Sequence, residues 1–248
     1  RNNIIPTFVK RWPAYRETIS RLVNHQQDCK SLMNEIGLAD LEQASHENTL
    51  NLEMVKSLSV ARQKNIIFTW LQVLQLESPG SKHINQIISD LINSTSDNAP
   101  CVNWKNVEVR KYRALLYASN SIDKNIESIN YDWDLQTPLK IMGEVLVAKP
   151  ETGIGLSKVK INNAKISVQH RQGGEKIQPS NTAHSKTVKQ LFQERGVLPW
   201  LRDRFPLVYV DDNLAAIPGI CVNINYSAEK SQASWLIEWS GYDKAVQS

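Results

Sequence analysis

The sequence lacks long apolar runs and paired cysteines, and both absences exclude classes of protein. No stretch approaches the ~20 consecutive apolar residues that cross a bilayer. Residues 1–13 also lack the small-residue cleavage site of a secretory signal. A cytoplasmic protein without membrane association is therefore expected. The three cysteines, Cys29, Cys101 and Cys221, are dispersed and form no CxxC pair, which argues against a disulfide framework or a zinc site.

The common catalytic and phosphate-binding motifs are missing as well. There is no GxxxxGK[ST], GxGxxG, HExxH or GxSxG sequence, and the five histidines are not spaced as metal ligands. The carboxylate pair Asp211-Asp212 precedes Asn213 between two predicted strands, so a turn is favoured over a general acid and base. The residues alone propose no catalytic site, no metal and no cofactor in this chain.

What is present is the composition of a folded globular protein with an uneven charge. A chain of 248 residues with 41% hydrophobic and 22% charged residues is long enough for two domains. Residues 145–210 contain 11 Lys and Arg against 4 Asp and Glu, a balance of +7, whereas residues 211–248 carry −3 and residues 1–144 carry 0. This local excess is typical of a polyanion-binding surface, although a solvated lysine-rich face gives the same pattern.

The first half of the chain is predicted to be a mainly helical domain with a small β element, residues 1–119. Three-to-four spacing of apolar residues predicts helices at about 13–36, 60–76 and 82–92. Pro13 suits the first turn of the first helix, and Gly37 is predicted to end it. After Pro100 the pattern favours strands, with Lys105-Asn106 as a hairpin turn.

Residues 120–137 are polar and are predicted to be an interdomain linker, followed by a smaller α+β domain at 138–248. Strands are predicted at about 166–170, 207–210, 214–217, 221–224 and 235–239. Gly173-Gly174 is predicted to turn the first of these into a returning strand at 175–178. A helix at 186–195 is predicted with Ser185 as its N-cap and Gly196 past its end. The fold class is α+β.

Basic residues, glycines and aromatic residues are interleaved between Ser167 and Gly219. Lys186 and Lys189 fall on one predicted helix face near an N-terminus that favours phosphate, but they also suit a merely solvated surface. Arg202 and Arg204 suit either a polyanion or an ion pair with Asp203, Glu194 or another carboxylate. Trp200 is interpreted as a core or interdomain anchor in preference to a base-stacking platform.

The same segments, taken in order, resemble the C-terminal domain of tRNA(Ile)-lysidine synthetases. The matching segments are Arg171–Glu175, His184–Glu194, Gly196–Leu207 and Leu214–Gly219. Residues 1–13 resemble the segment that follows the catalytic domain in this family, and residues 61–71 resemble a helix of its substrate-binding domain. The resemblance therefore covers essentially the whole chain.

The resemblance implies an ATP-dependent ligase, in which the wobble cytidine of a CAU-anticodon tRNA(Ile) is adenylated and then attacked by lysine. That chemistry resides on an N-terminal PP-loop domain with a Ser-Gly-Gly-x-Asp-Ser loop, and this sequence has no such loop. Arg1 in place of Met also predicts that an upstream segment is absent. We therefore expect a tRNA-binding part that is inactive alone, with ATP and magnesium bound by the absent domain.

The partners implied for the intact enzyme are tRNA(Ile), lysine and ATP, and a homodimer is kept as a further hypothesis. The resemblance carries candidate tRNA contacts onto nine residues, with the two glycines as a turn that lets backbone approach: Arg171, Gly173, Gly174, Lys176, Lys186, Lys189, Arg195, Arg202 and Arg204. Two alternatives stay open. One is a protein-interaction or dimerisation module with an incidental basic face, and the other is an enzyme with an unrecognised site.

Overall fold

The computed structural model describes residues 4–94, 100–121 and 130–246. The chain divides into two compact units, Arg1–Ile122 and Asp123–Ser248. Each unit combines helices with antiparallel sheets, which confirms the predicted α+β class. Within the described ranges, no helix has the length and apolar character needed to span a bilayer.

The first unit is mainly helical and carries one five-stranded sheet of order β1-β2-β5-β4-β3. Its helices are α1 Ile4–Arg11, α2 Tyr15–Ala44, α3 Leu52–Ser57, α4 Val60–Val73 and α5 Ser81–Gln86, the last continued by a π-helical turn at Ile87–Ile92. Its strands are β1 Ser45–His46, β2 Thr49–Asn51, β3 Cys101–Trp104, β4 Val107–Tyr112 and β5 Leu115–Asn120. The helices predicted at 60–76 and 82–92 and the turn at Lys105-Asn106 are confirmed.

The first core lies between the sheet and helices α3 to α5. It buries apolar side chains of the sheet, α3, α4, the π-helical turn and the C-terminal end of α2, and α5 adds the partly buried Ile84. Trp70 and Ile66 are among the least exposed. The indole N–H of Trp70 donates to the backbone oxygen of Asn48 at 3.2 Å, and that of Trp104 donates to Glu77 O at 2.9 Å. Both large aromatic residues are therefore buried without an unsatisfied donor.

Helix α2 does not end at Gly37, so that prediction is wrong. The helix continues to Ala44, because Gly37 lies where α2 crosses α4. A Cβ placed on Gly37 would lie 2.1 Å from Oγ1 of Thr69. The glycine thus permits a close helix crossing, and the residues that follow it, including Leu41 and Ala44, are buried in the core.

The second unit contains a five-stranded sheet of order β15-β14-β13-β10-β6, a four-stranded sheet of order β7-β8-β16-β9 and the pair β11-β12. The larger sheet consists of β6 Asn130–Asp132, β10 Ile166–His170, β13 Pro206–Val210, β14 Asn213–Ile217 and β15 Cys221–Val222. The remaining strands are β7 Leu139–Ile141, β8 Glu144–Thr152, β9 Leu156–Ser157, β11 Lys176–Ile177, β12 Lys186–Thr187 and β16 Ala233–Trp239. The helices are α6 Val188–Glu194, α7 Tyr242–Ala245 and a 3₁₀ helix at Pro199–Arg204.

Two apolar clusters hold the second unit together. One combines residues of the two larger sheets, including Leu146, Val168 and Ile237. The other packs α6 against β13 and β14, with the rings of Phe192 and Phe205 4.9 Å apart between centroids. The second cluster fixes α6, and with it the basic residues at the two ends of that helix.

Two local predictions in this unit are wrong. Gly173 and Gly174 have the expected positive φ angles of 99° and 87°, but strand β10 pairs with β13 and β6, while β11 pairs with β12. Helix α6 begins at Val188, and its N-cap is Thr187 in a capping box with Gln190. Ser185 instead donates its hydroxyl to Ile177 O at 3.4 Å.

The predicted linker at 120–137 lies partly outside the described residues. Its first residue, Asn120, ends strand β5 of the first unit, and residues 130–137 belong to the second unit. Strand β6 pairs with β10, and Trp133 is buried with its indole N–H donating to Thr137 O at 2.8 Å. The domain limits of 1–119 and 138–248 stay a prediction.

At Asp211-Asp212, the predicted turn is confirmed, since both residues have positive φ and the amide of Lys165 donates to Asp211.

Candidate nucleic-acid interface

Four of the seven basic candidates lie on one small element formed by β11, β12 and α6. Lys176 is the register partner of Thr187, which is in turn the N-cap of α6. Lys186 precedes that cap, Lys189 lies in the first turn of α6, and Arg195 is its C-cap. Residues far apart in sequence are thus brought onto one surface feature, called here the β11–β12–α6 element.

Three of these cations are exposed and available for a ligand. Lys176, Lys189 and Arg195 are exposed, and none of their side chains forms a hydrogen bond or ion pair within the described part of the chain. Exposed, unpaired cations can meet phosphate without first breaking an internal contact, so they attract a polyanion at little cost.

Lys186 is held differently from the other lysines of the element. Its ammonium group donates to both carboxylate oxygens of Glu194, at 2.9 and 2.8 Å, and its side chain is only 33% exposed. The expectation that Lys186 lies on the helix face with Lys189 is wrong, because Lys186 is in β12. Glu194 neutralises it, so phosphate would have to displace a carboxylate there.

Arg171 is also committed to partners within the protein. Its side chain is 18% exposed, with Nη1 3.3 Å from a carboxylate oxygen of Asp203 and Nε 3.8 Å from one of Glu175. The other Glu175 oxygen accepts the backbone N–H groups of Gln172 and Gly173. Glu175 therefore joins the arginine to the glycine turn, and Arg171 stabilises this loop from inside.

Gly173 and Gly174 are required by their backbone conformation. An added Cβ would meet nothing within 4 Å at either position, whereas both φ angles lie in the left-handed region. The open space around the turn is compatible with the expected approach of a nucleic-acid backbone. The glycines thus set the path of the loop that precedes Lys176.

The last two arginines belong to the 3₁₀ helix and are half-buried. Arg202 donates its Nε to the backbone oxygen of Val197 at 3.0 Å, and Arg204 is half-buried beside Phe205. Asp203, one of the expected partners of these arginines, forms an ion pair with Arg171. Trp200 is likewise half-buried. This segment is therefore a less accessible part of the basic region than the β11–β12–α6 element.

The sequence analysis did not identify the acidic residues that form ion pairs with two of the basic candidates. Glu194 and Glu175 lie within the basic stretch, yet only the fold shows that they pair with Lys186 and Arg171. It also missed Lys158, whose ammonium group lies 4.0 Å from the centroid of the Trp235 ring. The sequence shows Lys158 and, much later, a strand that contains tryptophans. The contact between Lys158 and Trp235 depends on the register between β9 and β16, which the sequence does not reveal.

Two titratable groups below this surface are perturbed by burial. Burial and the nearby Glu175 carboxylate raise the pKa of Tyr209 to about 12. Burial raises the pKa of the Cys221 thiol to about 12, against a smaller lowering effect of Arg195. The three cysteines, which all lie in the described ranges, form no disulfide, and Cys29 and Cys101 are exposed, which agrees with the sequence interpretation. Among the described residues, no cluster of His, Cys, Asp or Glu is arranged to hold a metal ion.

Comparison with known proteins matches two parts of the chain to domain models of one family. The model of the TilS substrate binding domain matches residues 50–117, and that of the TilS substrate C-terminal domain matches residues 166–239. The first match covers helices α3 to α5 and strands β3 and β4 of the first unit, with parts of β2 and β5. The second contains every candidate residue from Arg171 to Arg204. The chain belongs to the tRNA(Ile)-lysidine synthase family. The predicted resemblance is confirmed.

Curated members of the family align with nearly the whole chain. The tRNA(Ile)-lysidine synthase of Coxiella burnetii is 29% identical over 240 residues, which are 96% of this chain and 53% of the relative. That of Legionella pneumophila strain Paris is 29% identical over 245 residues, or 96% of this chain and 54% of the relative. The chain therefore spans about half the length of these family members.

Among solved structures, one described as the crystal structure of the TILS C-terminal domain matches with a TM-score of 0.40. It shares 16% sequence identity, and the match covers 49% of this chain and 100% of that chain.

Proposed function

We propose that this chain is the tRNA-binding C-terminal part of a cytoplasmic tRNA(Ile)-lysidine synthase, and that it positions a CAU-anticodon tRNA(Ile) for ligation of lysine. The observation that carries the proposal is the set of exposed, unpaired cations Lys176, Lys189 and Arg195 on the β11–β12–α6 element. This element lies inside the segment matched by the family's C-terminal domain model. Phosphate contacts from such residues hold a nucleic acid without reading its sequence.

The proposed role is binding and not chemistry. Residues 1–248 contain no Ser-Gly-Gly-x-Asp-Ser loop to hold the phosphates of ATP, and adenylation needs such an amide cradle. We assign ATP with magnesium, the lysine substrate and the ligation itself to the other half of the intact family protein. The chain alone is therefore expected to bind tRNA without modifying it.

The candidate residues are proposed to divide into two roles. Lys176, Lys189 and Arg195 contact tRNA phosphates directly, since no internal carboxylate occupies them. Lys186 contributes only when Glu194 releases it. Arg171, with Glu175 and the Gly173-Gly174 turn, shapes the loop that presents Lys176, and Arg202 and Arg204 support the neighbouring surface.

The proposal is tested by titrating tRNA(Ile) with the chain at several salt concentrations. The triple variant Lys176→Ala, Lys189→Ala, Arg195→Ala is compared with the unchanged chain. Each lost phosphate contact should reduce the slope of log K against log salt by about 0.9 for a duplex stem. A salt response that the triple substitution leaves unaltered would contradict the assignment.

A matched control removes the same charge elsewhere on the second unit. Lys149, Lys165 and Lys244 form ion pairs with Glu238, Asp132 and Glu144. Their triple alanine variant has the same net charge as the test variant but keeps the β11–β12–α6 element intact. It should bind tRNA several-fold better than the test variant; equal losses would mean that only net charge matters.

A further inference from the structure

The backbone of the glycine turn binds an anion, and that anion is a side chain of the same loop. The backbone N–H groups of Gln172 and Gly173 both donate to one carboxylate oxygen of Glu175, the second of them at 2.8 Å. Successive backbone N–H groups that converge in a turn form an anion-binding concavity, as they do in many phosphate sites. The turn is therefore an anion site, and Glu175 occupies it.

Glu175 uses only part of what this site offers. Its second carboxylate oxygen lies 3.8 Å from Nε of Arg171, which is too long for a hydrogen bond. Both atoms are buried, and neither has a hydrogen-bond partner among the described residues. Because buried polar groups are almost always hydrogen-bonded, the Nε–H group of Arg171 is a third donor that Glu175 does not satisfy. These three N–H groups, from Arg171, Gln172 and Gly173, are called here the loop anion site.

A phosphodiester group matches the three donors better than the carboxylate does. Its two non-bridging oxygens lie on a tetrahedral phosphorus atom and are farther apart than the two oxygens of a carboxylate. One oxygen can accept both backbone N–H groups while the other accepts Nε–H of Arg171, and such charge-assisted hydrogen bonds are the stronger kind. An added Cβ would meet nothing within 4 Å at Gly173 or Gly174, so the turn itself does not obstruct the approach of a phosphate.

The side chain of Glu175 can leave the site without unfolding the loop. Its backbone oxygen accepts the N–H group of Val188 at 3.0 Å, which ties residue 175 to the first residue of α6. The next residue, Lys176, is held in β11 by its pairing with Thr187. Rotation of the Glu175 side chain is therefore enough to exchange one anion for another.

We propose that Glu175 is an internal substitute for phosphate, and that a phosphate group of bound tRNA replaces its carboxylate in the loop anion site. This inference rests on the proposed function and adds an exchange of anions to it. Arg171 then contacts tRNA through Nε, while its Nη1 stays beside Asp203, 3.3 Å away.

The exchange makes Glu175 a specificity-determining residue. A free phosphate ion must displace the carboxylate unaided, whereas a phosphate of tRNA is held near the site by the exposed cations of the β11–β12–α6 element. Contacts made elsewhere raise the effective concentration of such a group by orders of magnitude. Glu175 therefore keeps the site closed to small free anions and admits a phosphate that the rest of a nucleic acid has already positioned.

Inorganic phosphate tests the site without tRNA. The amide signals of Gln172 and Gly173 in the isotope-labelled 248-residue chain are followed by NMR as phosphate is added at constant ionic strength. In Glu175→Ala both signals should respond at phosphate concentrations roughly ten-fold lower than in the unchanged chain, because the internal acceptor no longer competes for two charge-assisted hydrogen bonds. Glu175→Gln keeps the size of the side chain and should give a smaller shift in the same direction. Amides that do not respond in either variant overturn the proposal.

Glu194→Ala is the matched control. It removes the same charge from the same region and frees Lys186 from its ion pair, but it leaves the loop anion site occupied by Glu175. Gln172 and Gly173 should therefore respond to phosphate as they do in the unchanged chain. A response equal to that of Glu175→Ala would mean that net charge alone sets phosphate binding, and would overturn the exchange.

A titration with tRNA(Ile) separates this inference from the proposed function. In Glu175→Ala, hydrogen exchange at Gln172 and Gly173 should slow when tRNA is added, and tRNA should bind several-fold more tightly than to Glu194→Ala. If tRNA binds but neither amide is protected and the two variants have equal affinity, the exchange is overturned and the proposed function stands. If no variant binds tRNA, both are overturned.

Discussion

Replacing Gly37 by alanine tests how α2 is fixed to α4. The new Cβ would lie 2.1 Å from Oγ1 and 3.0 Å from Cβ of Thr69, which is itself buried. The Thr69 hydroxyl donates to Asn65 O at 3.0 Å, so moving it aside breaks a hydrogen bond in a closely packed place. The substitution therefore combines a steric cost with a loss of hydrogen bonding.

The magnitude follows from opposing effects on the free energy of unfolding. Alanine in place of glycine inside a helix contributes about 1 kcal/mol of stability. Overpacking of a closely packed site costs about 1–3 kcal/mol, and a buried hydroxyl that loses its partner adds to that cost. We expect Gly37→Ala to destabilise the first unit by about 1–2 kcal/mol.

The assay is hydrogen exchange of the α4 amides across a urea series, because the two units can unfold separately and a single whole-chain transition would mix them. In a Thr69→Ala background, which removes the obstructing oxygen, Gly37→Ala should be close to neutral. If Gly37→Ala stabilises the unit by about 1 kcal/mol in the unchanged background, as helix propensity alone predicts, the packing explanation is refuted.

Three further predictions concern the second unit. Because burial raises the pKa of Cys221 to about 12, this thiol should react with a disulfide reagent at pH 8 at least roughly ten-fold more slowly than exposed Cys29 and Cys101; equal rates would contradict its burial. The pKa of Tyr209 is raised from 10.0 to about 12, so its contribution to stability should be present below pH 10 and lost as the pH rises towards 12. The free energy of unfolding, measured in urea at pH values between 10 and 12, should therefore fall less for Tyr209→Phe than for the unchanged chain. Glu175→Gln weakens the hydrogen bonds that the backbone N–H groups of Gln172 and Gly173 donate to this side chain, and it removes the ion pair with Arg171. Hydrogen exchange at Gln172 and Gly173 should therefore accelerate. The same substitution at exposed Glu151, Glu151→Gln, is the control.

Local periodicity was enough to predict most of the regular elements. Helix α4 and strands β10, β13, β14 and β16 follow the apolar spacing of their own residues, because one face of each is buried. Gly37 shows the limit of local signals. A glycine after an apolar stripe usually ends a helix, but here it lies inside one because contact with Thr69 requires the absence of a side chain.

Strand pairing and charge pairing depend on contacts distant in sequence, and there the sequence was insufficient. The Gly173-Gly174 turn has the predicted backbone conformation. Strand β10 nevertheless pairs with β13, which follows α6 in the sequence, and not with β11, the next strand along the chain. Likewise, Lys186 and Glu194 form an ion pair only because the chain bends between β12 and α6. Composition predicted a basic region, but the fold determines which of its cations remain unpaired.

The most direct test of the central claim is a binding titration of the chain with CAU-anticodon tRNA(Ile) at low and moderate salt, with tRNA(Met) in parallel. We predict binding that weakens steeply with salt, with log K losing about 0.9 per tenfold rise in salt for each phosphate neutralised. The Lys176→Ala, Lys189→Ala, Arg195→Ala variant should bind more weakly and with a smaller slope. Absence of tRNA binding at low salt, or binding that does not respond to salt, would contradict the claim that these residues form a tRNA-binding surface.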